Sequence, residues 1–146
     1  MEEAIPRNSK EYSRYLMGKA RHLMERARQK ELMPHNISSR QANVMFILYK
    51  LDHKPTLNEL AKHLDREINT LSSQMTRMER DGLVKKVREN PKSTLLKFEL
   101  TKKGYDIFEN SCKMISTNAI MSVLTEEECQ QLISILNKII LEAEKY

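Results

Sequence analysis

Between residues 66 and 80 the chain sets hydrogen-bonding side chains at helical spacing. At about 100° per residue, Arg66, Asn69, Thr70, Ser73, Thr76, Arg77 and Arg80 share one side of a helix. Ile68, Leu71, Met75 and Met78 share the other side. The first side has no large apolar residue and is rich in donors. Asn can pair twice with an adenine edge, Arg with a guanine edge, and Ser or Thr with several bases. The chemistry on offer is the reading of base edges, concentrated near the N-terminal end of the helix. Asn69, Thr70 and Ser73 are the leading candidates, with Arg66 at the start and Thr76 and Arg77 farther along. Gln74 stands at the edge of this side as a weaker candidate, while Arg80 is expected to meet phosphate or solvent. The bland alternative is an ordinary solvated helix face.

Such a row is useful only if neighbouring elements hold it. Leu57, Leu60, Ala61 and Leu64 fall at i, i+3, i+4 and i+7, a one-sided stripe that predicts a bracing helix over 57–64. Thr56 with Glu59 marks its start. Asp65-Arg66 makes a tight turn into a second helix over 67–81, and Gly82 follows as a left-handed cap. Residues 83–88 then read as a strand. Leu96, Phe98 and Leu100 alternate with Lys97 and Glu99 as another, leaving 89–95 as a long loop. Helix, turn, helix, strand, basic loop, strand is a winged helix-turn-helix, whose second helix enters a major groove. Lys85, Lys86, Arg88, Lys92 and Ser93 of the wing, with Thr56, are expected near phosphate. Charge agrees. Residues 54–104 carry 12 Lys or Arg against 7 Asp or Glu, and the rest of the chain carries 13 of each. An excess confined to one stretch points to a polyanion, nucleic acid before membrane.

The flanks are helical. Asn8 with Glu11, Ser38 with Gln41, and Thr125 with Glu128 repeat the cap pattern. They predict a long helix over 8–33, closed before Pro34, a buried one over 39–51, and a last one from 126 almost to the end. Thr101 can cap a helix running to about 123. The segment "CQQLISILNKIILEAEKY" has more apolar surface than one contact face requires, which suggests a dimer seam. The expected architecture is mainly α, with a little β, in a single domain over 1–146. Residues 38–104 form the winged helix-turn-helix, and 8–33 and 105–146 are long dimerisation helices.

"TLNELAKHLDREINTLSSQMTRMERDGLVKKV" followed by "FELTKKG" resembles the MarR family of transcription regulators. Leu60-Ala61, Asp81-Gly82-Leu83-Val84, and Leu100-Thr101 with Gly104 carry the likeness in their order and spacing. The resemblance implies a homodimer with interlocked terminal helices that binds a pseudo-palindromic operator in double-stranded DNA. It also implies a repressor, released by a small aromatic or anionic effector. Two departures stand out. Asp65 replaces the glycine usual in the turn, and Asp tolerates the left-handed conformation. Lys92 and Thr94 stand where relatives carry Asp-x-Arg, so the arginine clamped toward the minor groove is missing. A winged module that binds protein without reading DNA, such as an antirepressor, is the alternative.

Tyr12, Tyr15, Met33, His35, Met45 and Tyr49 are the candidate lining of an effector pocket, and core or interface packing is their plainer role. Relatives that sense peroxide carry a cysteine near the N-terminal helix. None occurs here before Cys112, so Cys112 and Cys129 read as packing. The four His form no ligand spacing, and no metal or cofactor is expected. Glycine loop, nucleophile elbow and paired-acid signatures are absent, which argues against an enzyme. No stretch approaches the ~18 apolar residues of a membrane span. A cytoplasmic setting is expected.

Overall fold

The computed structural model describes Ala4 and residues 6–111 and 113–146. The described chain forms two compact units, divided after Met114.

The first unit contains α1 (Lys10–Leu32), a single 3-10 turn (Met33–His35), α2 (Ser39–Lys50), α3 (Leu57–Leu64), α4 (Ile68–Arg80), β1 (Val84–Val87), β2 (Lys97–Leu100) and α5 (Lys102–Ser111). Local chemistry sets most of the ends. Ser38 and Gln41 form a reciprocal capping box on α2. Thr56 caps α3 through its hydroxyl, but Glu59 turns its carboxylate to His53 at 2.7 Å. At α1 the cap is Ser9, which accepts from the Tyr12 amide, and not the expected Asn8. Pro34 falls within the 3-10 turn, just past the end of α1.

Leu32, Ile37, Val44, Met45, Leu60, Leu71, Met75, Met78, Val84, Phe98 and Phe108 are buried together in one core. Three methionines sit at its centre, where an unbranched side chain fills irregular gaps between crossing helices. α1 is tied to this body by polar contacts. Arg28 Nη1 donates to Asn43 Oδ1 at 3.1 Å, and Gln29 Oε1 accepts from the Ser39 amide at 3.0 Å.

β1 and β2 pair antiparallel with Val84 opposite Leu100 and Val87 opposite Lys97. The Phe98 amide also donates to the Pro55 carbonyl at 2.9 Å, which fastens the wing to the start of α3.

The second unit holds α6 (Ile115–Met121) and α7 (Glu126–Ala143), the latter opened by a complete Thr125–Glu128 capping box. The helix expected to run unbroken to about 123 is divided. α5 ends at Ser111, and Met114 has φ +50°, outside the right-handed helical region. Ile133, Ile135, Ile139 and Ile140 of α7 are exposed.

Candidate nucleic-acid interface

α4 has one sealed side and one open side. Leu71, Gln74, Met75 and Met78 are buried at i, i+3, i+4 and i+7. Asn69, Thr70, Ser73, Thr76 and Arg77 are all exposed on the other side. Ser73 Oγ donates to the Asn69 carbonyl at 3.2 Å and Thr76 Oγ1 to the Ser72 carbonyl at 3.0 Å. Both hydroxyls are parked on their own helix and keep acceptor capacity for an outside donor. The side chains of Asn69 and Arg77 have no hydrogen-bond or ion-pair partner among the described residues. Glu67 gives α4 no side-chain cap, so its first amides stay open to an acceptor.

The turn into α4 is held as its residues require. Asp65 adopts φ 49°, ψ 54°, and the Arg66 amide then donates back to the Ala61 carbonyl at 3.0 Å. This closes α3 and sends the chain across to α4.

Two residues depart from the expected pattern. Ile68, expected inward, is 39% exposed because the buried side of α4 starts one turn later, at Leu71. Gln74, expected at the edge of the reading side, is only 8% exposed and accepts from Arg66 Nη1 at 2.6 Å. Arg66 is half-buried, and burial is the main influence lowering its pKa.

In the wing, Arg88 and Lys92 are exposed at the base and tip of the loop. The Lys92 amide donates to Asn90 Oδ1 at 3.0 Å, and Ser93 Oγ accepts from the Leu95 amide at 3.2 Å, so two short turns shape the tip. Lys85 is paired with Glu99 at 3.1 Å and Lys86 with Glu79 at 3.9 Å. Such surface pairs are weak, so either lysine can exchange its partner for a phosphate. Hydrogen bonding from Lys54, and then from Lys85, holds the Glu99 carboxyl below its usual range. Thr56 spends its hydroxyl on the α3 cap.

Arg40 was not legible as part of this surface. It lies in the first turn of α2 and lines a concavity of about 310 Å3 with Thr70, Arg77 and Arg80. Like Arg77, it has no ion-pair partner among the described residues. Its only sequence signal is its charge, since nothing local links it to α4.

The six candidate pocket residues are dispersed. Met45 is fully buried in the core. Tyr49 stacks near Phe108 and donates its hydroxyl to Glu109, a bond that, with Tyr105, pushes its pKa up to about 12. Tyr12 and Tyr15 stack on α1 with centroids 6.0 Å apart. His35 lines a concavity of about 510 Å3 with Arg80 and Lys103, and Met33 lines another of about 380 Å3 with Gln29. Cys129 is a half-buried free thiol, while Cys112 lies outside the described residues. Among the described residues there is no His, Cys, Asp or Glu cluster that could hold a metal, and no helix long and apolar enough to cross a membrane.

A bracing helix, a donor-rich second helix and a basic two-stranded wing define a winged helix-turn-helix protein of the transcription-regulator class. Solved structures agree. The chain is 25% identical to MepR of S. aureus, solved in complex with DNA, over 92% of this chain and 99% of that one, with a TM-score of 0.82. It is 26% identical to the organohalide-sensing regulator RdhR, solved with 2,4-dichlorophenol, over 90% of this chain and 79% of that one, with a TM-score of 0.76. AbsC, a MarR family regulator of Streptomyces coelicolor, shares the fold at a TM-score of 0.84 and 17% identity, over 95% of this chain and 97% of that one. No family model and no curated protein matches the chain. In fold, and at 25–26% identity in sequence, the chain is similar to these transcriptional regulators, and it shares the fold of the MarR family member AbsC.

Proposed function

We propose that the chain is a sequence-specific reader of double-stranded DNA, working as a dimeric repressor on a pseudo-palindromic operator. One observation carries this. Asn69, Thr70, Ser73, Thr76 and Arg77 stand exposed on a helix whose opposite side is sealed into the core. Base contacts fall to Asn69, Thr70, Ser73 and Arg77. Arg40, Arg80, Arg88 and Lys92 meet phosphates, which fix register without carrying sequence. Residues 38–104 form the DNA-binding region, and 8–33 and 105–146 the dimerisation helices. The working place on this reading is the cytoplasm, and no catalytic step is assigned.

Selection from random duplexes tests this directly. One sequence should be enriched, with half-sites about 10 bp apart or a multiple of that. Its affinity should fall steeply with salt as basic residues release counterions. Equal, weak binding to every duplex would sink the reading and favour a protein-binding module.

The dimer rests on α7. Ile133, Ile135, Ile139 and Ile140 are 42–55% exposed in the single chain, an apolar area that water disfavours. Sedimentation at micromolar concentration should find a dimer; a stable, folded monomer there would contradict the assignment of the terminal helices. A small aromatic or anionic effector is also proposed, supported by the chlorophenol in RdhR. The scatter of Tyr12, Tyr15, Met33, His35, Met45 and Tyr49 gives its seat no single location within one protomer.

A further inference from the structure

Arg66 looks at first like another groove contact: it is a cation immediately before the recognition helix. Its geometry points elsewhere. The guanidinium turns back under α4, and Nη1 donates to Gln74 Oε1 at 2.6 Å. Gln74 sits in the second turn of α4 on its sealed side, with Nε2 3.9 Å from the sulfur of fully buried Met78. A buried amide oxygen needs a donor, and here a charged, planar one supplies a strong and directional bond. Arg66 itself lines a concavity of about 510 Å3 that brings together Arg21 and Glu25 of α1, Arg40 and Asn43 of α2, and Thr70 of α4. Burial is the largest influence on the guanidinium, followed by repulsion from Arg40 and attraction to Glu25. The side chain therefore belongs to the junction behind the recognition helix.

That position has a mechanical consequence. A helix with its side chains has a radius of about 5–6 Å, so a 20° roll moves side-chain tips by about 2 Å. Such a shift exceeds what a base-edge hydrogen bond tolerates. Leu71, Met75 and Met78 hold α4 against the core, but apolar contacts are not directional. The Arg66–Gln74 bond is directional, and it joins the turn to the sealed edge of α4, one helical turn beyond Thr70 and turned away from Asn69 and Ser73.

We propose that Arg66 and Gln74 are positioning residues, forming a clasp that sets the roll of the recognition helix while neither touches DNA. The proposal rests on the DNA reading above, and the experiment separates the two. The full chain and its Arg66→Met, Gln74→Met, Gln74→Glu and Arg66→Met/Gln74→Met variants are titrated with the selected duplex and an unrelated one at several salt concentrations. Thermal melts confirm folding.

Arg66→Met and Gln74→Met should each cut the preference for the selected duplex about tenfold, the loss expected for a part-buried charge-assisted bond. The double variant should be no worse than either single one, because both remove the same bond. The salt slope on unrelated DNA should stay unchanged. Gln74→Glu, whose carboxylate accepts the same bond, should keep the preference within about threefold, and it tests the clasp even if Arg66→Met does not fold. The clasp is overturned if Arg66→Met keeps its preference while the salt slope falls by about 0.9, the mark of a lost phosphate contact. It is equally overturned if Gln74→Glu is as damaging as Gln74→Met, or if the two methionine losses add. A wild-type chain with no preferred duplex would instead remove the DNA reading itself, and the clasp with it.

Discussion

Gly104→Ala is expected to destabilise the fold by about 3 kcal/mol, lowering the melting midpoint by roughly 10 °C. A Cβ at Gly104 would stand 2.0 Å from the Leu83 carbonyl oxygen and 3.0 Å from its carbonyl carbon. Both are backbone atoms, so no rotamer change can relieve the clash. The same carbonyl accepts the Thr101 amide at 3.1 Å, and Thr101 accepts the Gly104 amide at 3.0 Å, so the carbonyl cannot move away freely. This knot joins the end of α4, the start of β1 and the first turn of α5, and loosening it should disturb the wing as well. Gly82→Asn is the informative control. Gly82 has φ +75°, which Asn tolerates, and its nearest neighbour is the flexible Lys103 side chain at 3.7 Å. It should cost about 1 kcal/mol at most. Equal midpoints for the two variants in thermal melts would show that the close approach at Gly104 is not what requires glycine.

What the sequence disclosed was local. Asp65 and Gly82 were readable as left-handed stops because each turn depends on a few adjacent residues, and both have positive φ. The Ser38 and Thr125 boxes were readable for the same reason. Asn8 and Ser9 are both good caps, so their order could not be decided from type alone. The break after Ser111 carries no Pro or Gly to announce it, and methionine is not a residue type that signals the positive φ found at Met114. Gln74 falls in the i, i+3, i+4, i+7 stripe with Leu71, Met75 and Met78, but its polar type argues for the open side, and the Arg66 donor that satisfies it there is not visible in the periodicity. Arg40 is far from α4 in sequence and joins it only through the fold. Which of the candidate pocket residues share a concavity depends on packing between elements, which residue type and closeness in sequence do not encode.

The division of labour between α4 and the wing gives the largest expected effect on binding. Asn69→Ala and Ser73→Ala should each relax the preferred sequence, because the lost hydrogen bonds discriminate bases. About 1–3 kcal/mol per paired base contact corresponds to roughly 10- to 100-fold in preference at one half-site position. Neither side chain is needed for folding. Both are exposed, and among the described residues the only bond Ser73 Oγ makes is to its own helix. Lys92→Ala should behave differently. Lys92 is exposed at a loop tip whose turns are formed by its backbone and by Asn90 and Ser93, so removing its charge leaves the tip intact. With no clamped arginine beside it, the wing is proposed to hold phosphate without reading bases. Lys92→Ala should therefore weaken every duplex about equally and lower the salt slope by about 0.9. Repeating the duplex selection with each variant separates the roles. A changed consensus for Lys92→Ala would make the wing a reader, and an unchanged one for Asn69→Ala and Ser73→Ala would take base recognition away from the N-terminal half of α4.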